Sequence, residues 1–581
     1  MFSKAAIPLL FSSFALAYPA EKDQPQTRNQ TSINWQPCDL DFPSAQRETI
    51  AAHGAPIFCA KLPVPLDYTV KDGEILELQL IKVEAIKEPF KGSIIMNPGG
   101  PGASGIEEIS QKGPMYRDIF GGQYDVVGLD ARGTGRTMPF ACIPSNSSTP
   151  SLSKRATNFT VPQIAGDDLY SILESKAWDD AGAFVETCTL SEGNADIGSY
   201  LGTPFVARDL LQIVDALNED GLLRFWGRSY SSVLGQTFAS MFPDRVGRIL
   251  LDSVVRYDDY FAGQWATATR GTEGAMLNFL RECVNAGPEI CPLANFTGPD
   301  TTPQDLLEEL GKGFQQLLDE PVLLPDDYQP ISQLWWRPGG ITLYQELKYW
   351  MLTYLYRPEQ FFALYELVDA VIRQDWDAGR ANLELIGNPP GANETTPELP
   401  WQLGINAFHG IACSDSSFRA ESPEDLYSLV QAQLGQGSWA DVFSPQVWPC
   451  AQWKFEAKER YTGPFTAINT KNPILLANGA HDPITALSGA WEASANFIGS
   501  RLFVHNGHGH GVMNHPSNCT IKVIHDYFND GTLPEVGTEC EPNQTAFEYA
   551  LEYLAAQGNG TTTDTREARS LGSASLKRRG N

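Results

Sequence analysis

The sequence predicts an α/β fold: a mostly parallel sheet with helices on both faces and a large, mainly helical cap inserted between strands. Three observations predict it. Short apolar runs without polar alternation recur along the chain, as strands buried on both faces require. Helical stretches fall between them, the rhythm of crossover connections. That rhythm fails over residues 256–465, where Trp, Tyr, Leu and Gln are abundant and strand punctuation is missing.

In chain order the predicted strands are "GSIIMNP" at 92–98, "YDVVGLD" at 124–130, "LLRFWG" at 222–227, "RILLDSV" at 248–254, "NPILLANG" at 472–479 and "RLFVHNG" at 501–507. Helices are expected at 206–219 and 232–242, and inside the insertion at "ITLYQELKYWMLTYLY" and "PEQFFALYELVDAVIRQDW". At roughly 100 to 200 residues per domain, 581 residues accommodate one large core with a big insertion. The expected division is a leader at 1–17, a sheet domain at 18–255 and 466–556, the cap at 256–465, and a polar, Gly/Thr/Ser-rich disordered tail at 557–581.

The leader, "MFSKAAIPLLFSSFALAYPA", carries Lys4, an apolar run and Ala15-Leu16-Ala17, the pattern of a cleaved signal peptide. Its apolar run is far shorter than the roughly 20 residues that span a bilayer, so no membrane anchor is expected. Ten cysteines and eight Asn-x-Ser/Thr sites (Asn29, Asn146, Asn158, Asn295, Asn393, Asn518, Asn543 and Asn559) agree with a secreted, glycosylated, disulfide-bonded protein. Pairing neighbours gives Cys38–Cys59, Cys142–Cys188, Cys283–Cys291, Cys413–Cys450 and Cys519–Cys540, though sequence alone leaves other connectivities open. With 70 acidic against 42 basic side chains, the net charge of −28 repels phosphate backbones, which excludes nucleic acid as a partner.

The chemistry centres on "FWGRSYSS". A strand ending at Gly227 runs into Ser229 and then a helix, the arrangement that lifts a nucleophilic hydroxyl above a sheet. Gly227 supplies the small residue two before it. Ser231, two after it, departs from G-x-S-x-G while staying small. A serine needs a histidine to take its proton and a carboxylate to orient that histidine. Asp482 in "LLANGAHDPIT" follows one predicted strand, and His510 in "FVHNGHGHGVMNH" follows the next, 28 residues later. His505, His508 and His515 share that loop, and the local chemistry leaves His508 and His510 both open as the base. No Cys or carboxylate gives these histidines a recognisable metal-ligand spacing, so neither metal nor cofactor is expected. "MNPGGPGASG" at 96–105 is nearly free of side chains, so its amides can face a ligand. The expected oxyanion donors are the N–H groups of Gly100 and Tyr230.

With these residues assembled, the chain resembles the secreted tripeptidyl aminopeptidase branch of the α/β-hydrolases, relatives of the proline iminopeptidases. The motifs that carry the resemblance are "NPGGPG", "YDVVGLDARGTGRT", "WGRSYSS", "LLDSVV", "NGAHDPIT" and "GHGHGVMNHPSNCTIKVIHDYFNDGTLPEVGTECEP". They cover about residues 35–255 and 466–545, and the insertion only loosely. The resemblance implies Ser229 as nucleophile, Asp482 as acid and His510 as base, because the family loop reads Gly-x-Gly-His, matched by Gly507 to His510. It implies that Asp130 and Arg132 brace a loop near the site. It also implies acidic residues that receive a substrate amino terminus, for which Asp415, Glu107 and Glu108 are the candidates. The expected function is a secreted serine aminopeptidase of tripeptidyl or prolyl type, acting on peptides. The rival is an esterase, lactonase or biosynthetic hydrolase for a small natural product, since no residue of the set separates amides from esters.

Overall fold

The computed structural model describes residues 32–143, 164–325, 328, 341–387 and 404–558. The expected leader, the tail from 559, and Asn29, Asn146, Asn158, Asn393 and Asn559 lie outside the described residues. One ten-stranded sheet organises the molecule: β1 (Gln36–Pro37), β2 (Ile57–Pro65), β3 (Ile75–Val83), β4 (Ser93–Asn97), β5 (Asp125–Leu129), β6 (Leu223–Arg228), β7 (Val246–Asp252), β8 (Leu475–His481), β9 (Arg501–His508) and β10 (Glu539–Cys540). The order is β1-β2-β3-β5-β4-β6-β7-β8-β9-β10. Pairings among β1, β2, β3 and β5 are antiparallel, and every pairing from β5 through β4 to β10 is parallel.

All six strands expected from apolar runs are present. The antiparallel strands β2 and β3 differ because they alternate: Lys61 and Glu77 face solvent as an ion pair while Leu62, Val64, Leu78 and Leu80 are buried. The parallel strands are buried on both faces. Ile95, Val127, Phe225 and Leu251 pack on one side with helix Thr203–Leu217, whereas Ile94, Val126, Trp226 and Leu250 pack on the other with Ile106, Ile109 and Tyr527.

Between β7 and β8 the described residues contribute helices and no strand of the sheet. Their core joins Phe279, Leu310, Phe314, Leu347, Val368 and Trp439. The helical layer also draws on two stretches outside the insertion. Leu169, Ile172 and Leu173 pack against Leu426 and Val430, and helix Ala546–Gly558 contributes Ala546, Phe547 and Ala550 to the cap core. An ion pair buried in this layer, Lys348 Nζ to Asp441 Oδ2 at 2.9 Å, is further satisfied by the carbonyls of Ala165 and Ser438.

Five disulfides join Cys38–Cys59, Cys142–Cys188, Cys283–Cys291, Cys413–Cys450 and Cys519–Cys540, the neighbour pairing read from sequence. Among the described residues, no helix is long and apolar enough to cross a membrane. Asn295, Asn518 and Asn543 are exposed.

Candidate active site

The nucleophile candidate sits where strand becomes helix. β6 ends at Arg228, helix Tyr230–Met241 begins at the next-but-one residue, and Ser229 between them adopts φ 58° and ψ −128°. That left-handed backbone is costly for a residue with a Cβ, and such strain persists where surrounding contacts over-determine it. Those contacts are visible. Ser229 N–H donates to the carbonyl of Asp252 at the end of β7 (2.9 Å), and its own carbonyl accepts from Ser232 N–H (2.8 Å) and Ser232 Oγ (2.6 Å). Gly227 is required because a Cβ there would lie 2.3 Å from the Ser231 carbonyl oxygen.

The glycine loop approaches the same turn. A Cβ on Gly99 would meet the Arg228 carbonyl oxygen at 2.4 Å, Ser229 Cβ at 2.9 Å and Tyr230 N at 3.2 Å, so only glycine permits this approach. Gly100 and Tyr230 line one cavity with Ser229 and His510. Asp130 holds the far end of the loop: its carboxylate accepts from Ser104 Oγ (2.5 Å), Ile106 N–H (3.3 Å) and Arg136 N–H (2.8 Å). Arg132 is turned away, forming a buried bidentate pair with Asp209 at 2.7 and 2.9 Å.

His510 and Asp482 meet across the ends of β8 and β9. His510 Nδ1 lies 3.0 Å from Asp482 Oδ2 and 3.1 Å from Oδ1. The carboxylate also accepts from Ile484 N–H (3.0 Å), Thr485 N–H (2.9 Å) and Thr485 Oγ1 (2.7 Å). Burial pushes Asp482 up, but the adjacent imidazole and the Thr485 bonds outweigh it and hold the carboxyl below its ordinary value. His508 points elsewhere. Its Nε2 is 3.0 Å from Asn278 Nδ2 and 3.8 Å from Glu282 Oε1, in a separate polar cavity that also contains His481 and His515. Among the described residues, no three His, Cys, Asp or Glu side chains are placed to hold a metal ion.

The insertion reaches the histidine loop directly. At the C-terminal end of helix Leu343–Leu355, the carbonyl of Tyr356 accepts from His510 N–H (2.9 Å) and from Asn514 Nδ2 (3.1 Å). Its ring centroid stands 5.0 Å from that of His510. On the sheet side, Asp252 Oδ1 accepts from Val512 N–H (3.1 Å). Tyr356 carries no signal in the sequence, and Asp252, though it lies in the motif "LLDSVV", carries no sign of this role, because each acts on residues distant along the chain.

The three acidic candidates are placed differently from one another, and none lines the cavity of Ser229. Asp415 is buried, its oxygens occupied by Thr203 N–H (2.8 Å), Thr203 Oγ1 (2.5 Å) and Tyr260 OH (2.8 Å). Burial pushes it up to about 7. Glu108 is paired with Lys112 at 3.3 Å and Arg228 at 3.5 Å, and Glu107 lies within helix Gly105–Ile119. A carboxylate that does line the cavity is Glu359, in the short turn Pro358–Gln360 that follows Tyr356. Its Oε2 is buried without a hydrogen-bond partner, and burial raises its pKa against a hydrogen bond from its own backbone N–H and the pull of Arg357 and Lys112.

Comparison with known proteins agrees with this fold. A family model described as "alpha/beta hydrolase fold" matches residues 92–273, and one described as "TAP-like protein" matches 436–540, on either side of most of the insertion. In these two segments the chain is similar to the α/β-hydrolases and to TAP-like proteins. It is 23% identical to a tripeptidyl aminopeptidase of Streptomyces lividans over 89% of this chain and 88% of that one. It is 26% identical to the serine protease Hip1 of Mycobacterium tuberculosis over 87% of this chain and 91% of that one. A carboxylesterase B of Mycobacterium tuberculosis is 24% identical over 83% of this chain and 86% of its own length. The chain is a serine hydrolase-like enzyme with an α/β-hydrolase fold.

Proposed function

We propose that this TAP-like hydrolase is a secreted aminopeptidase of tripeptidyl or prolyl type that uses Ser229, His510 and Asp482. The observation that carries the reading is the joint lining of one cavity of about 650 Å³ by the strained serine, the Asp482-paired histidine and Glu359, whose Oε2 is buried without a hydrogen-bond partner. With Nδ1 of His510 engaged by Asp482, Nε2 is the nitrogen available to take the Ser229 proton. Ser229 Oγ attacks the scissile carbonyl, and the N–H groups of Gly100 and Tyr230 stabilise the oxyanion. Collapse of the tetrahedral adduct passes the proton from His510 to the leaving amine, and water, deprotonated by the same imidazole, releases the acyl group from Ser229.

Glu359 supports the exopeptidase reading. A buried carboxylate oxygen without a donor is costly, and a substrate ammonium would supply the missing hydrogen bond and charge. Glu359 therefore replaces Asp415, Glu107 and Glu108 as the candidate for receiving the amino terminus. Five disulfides support the secreted reading, and the exposed sequons Asn295, Asn518 and Asn543 are the accessible candidates for glycans. The similarity to a carboxylesterase favours a second reading, hydrolysis of small esters by the same residues. Hydrolysis of a chromogenic tripeptide amide, with its amino group free and then acetylated, separates the two. Cleavage of the free form alone, lost in Ser229→Ala, supports the aminopeptidase. Equal cleavage of both forms, or cleavage of esters only, contradicts it.

A further inference from the structure

We propose that Asn97 and Ser231 form a clamp that sets the spacing of the two oxyanion donors. The inference rests on Ser229 being the nucleophile. Those donors, Gly100 N–H and Tyr230 N–H, belong to separate segments, the loop after β4 and the first turn of the helix after β6. Stabilising a developing oxyanion demands that both sit within a few tenths of an ångström of their working positions. A single atom ties the two segments together. Asn97 Oδ1, at the end of β4, accepts from Gly99 N–H (3.1 Å) on one side and from Ser231 Oγ (2.5 Å) on the other.

Each tied group is the immediate chain neighbour of a donor residue: Gly99 precedes Gly100, and Ser231 follows Tyr230. Both clamp side chains are buried, Asn97 at 5% and Ser231 at 0% exposure, so water does not substitute for either bond. The backbone contact of Gly99 with Arg228 and Ser229 fixes how close the segments come, and the two hydrogen bonds fix how they are turned. Ser231 is the position at which the sequence departs from G-x-S-x-G. A glycine there has no hydroxyl and leaves Asn97 Oδ1 with one donor. The departure is thus a functional part of this elbow. Asn97 and Ser231 are positioning residues, since they act through the donors and do not touch the reacting atoms.

The test compares wild type with Ser231→Ala, Ser231→Gly, Asn97→Ala and the double variant Asn97→Ala/Ser231→Ala, using a small chromogenic ester and a tripeptide amide. Readouts are kcat, KM, inhibition by a peptide aldehyde that forms a tetrahedral adduct, and labelling of Ser229 by a fluorophosphonate. The clamp predicts that kcat falls about 10- to 100-fold in each single variant, that KM stays within about twofold, and that aldehyde inhibition weakens in parallel with kcat. The double variant falls no further than the worse single one, because both break one link. The Gly and Ala variants at 231 guard against a folding defect in either, and thermal melting is recorded for each. Folded variants with kcat and aldehyde inhibition within about threefold of wild type, while wild-type Ser229 is labelled, overturn the clamp alone. Failure of wild-type Ser229 to take the label overturns the nucleophile reading and the clamp with it.

Discussion

The two halves of the candidate site are supported in different ways. The nucleophile half is built by the sheet: Ser229 is pinned by the carbonyl of Asp252, and the glycine loop is tied to the elbow by Asn97. The histidine half hangs between the sheet and the cap, with Val512 held by Asp252 and His510 N–H held by the Tyr356 carbonyl of the insertion. The hydrogen bonds that hold the elbow's backbone come from adjacent strands and the first turn of the helix. His510, the proposed base, is in register only while the end of helix Leu343–Leu355 stays in place. Access to the cavity and positioning of the base are therefore coupled, and the short turn bearing Glu359 begins two residues after Tyr356.

Predictions that break or sharpen this contrast run from large to small. Removing the proposed nucleophile or base, by Ser229→Ala or His510→Ala, should cost roughly 10⁴-fold or more in kcat with the melting temperature nearly unchanged. Asp482→Asn should cost about 10³- to 10⁴-fold by spoiling the imidazole tautomer, a loss that kcat/KM against pH would register. Tyr356→Ala is the test of the cap side. It strips the ring beside His510 and loosens the end of the helix, so kcat should fall about tenfold while phosphonate labelling of Ser229 slows in parallel. Glu359→Gln should raise KM for free-amino peptides about 10- to 100-fold and leave acetylated substrates and esters unchanged.

A smaller effect concerns stability in acid. Burial, reinforced by neighbouring histidines, lowers His481 to about 4, His505 to about 3 and His515 to about 4. Below the ordinary value near 6.5 the unfolded chain binds protons that the folded one refuses, so stability is full above that value and declines as pH falls toward 4. The melting temperature should drop over this window, and His481→Gln should flatten part of the drop.

Much of this was legible in the sequence, and the exceptions are instructive. The six buried parallel strands announced themselves as apolar runs, and Gly227, Ser229 and Asp482 stood in contiguous motifs whose geometry is local. Asn97 carries a usable signal, a polar residue closing an apolar strand and opening "NPGGPG", while its partner Ser231 reads only as a small residue departing from G-x-S-x-G. Asp415 was misleading: it looked like a cap carboxylate, but Thr203, Tyr230 and Tyr260 enclose it behind the cavity wall. Tyr356 and Glu359 were invisible, because their roles arise from packing between segments about 150 residues apart. The residues alone leave His508 and His510 both open and the resemblance implies His510; the fold turns His508 toward Asn278 and His510 toward Asp482.

The measurement that bears most directly on the account is the rate at which a fluorophosphonate labels Ser229, followed by intact mass and peptide mapping, in wild type, His510→Ala and His508→Ala. The account predicts rapid labelling of wild type at Ser229, near-wild-type labelling of His508→Ala, and a loss of about 10³-fold or more in His510→Ala. Equal labelling of the two histidine variants, or modification at another serine, would contradict it.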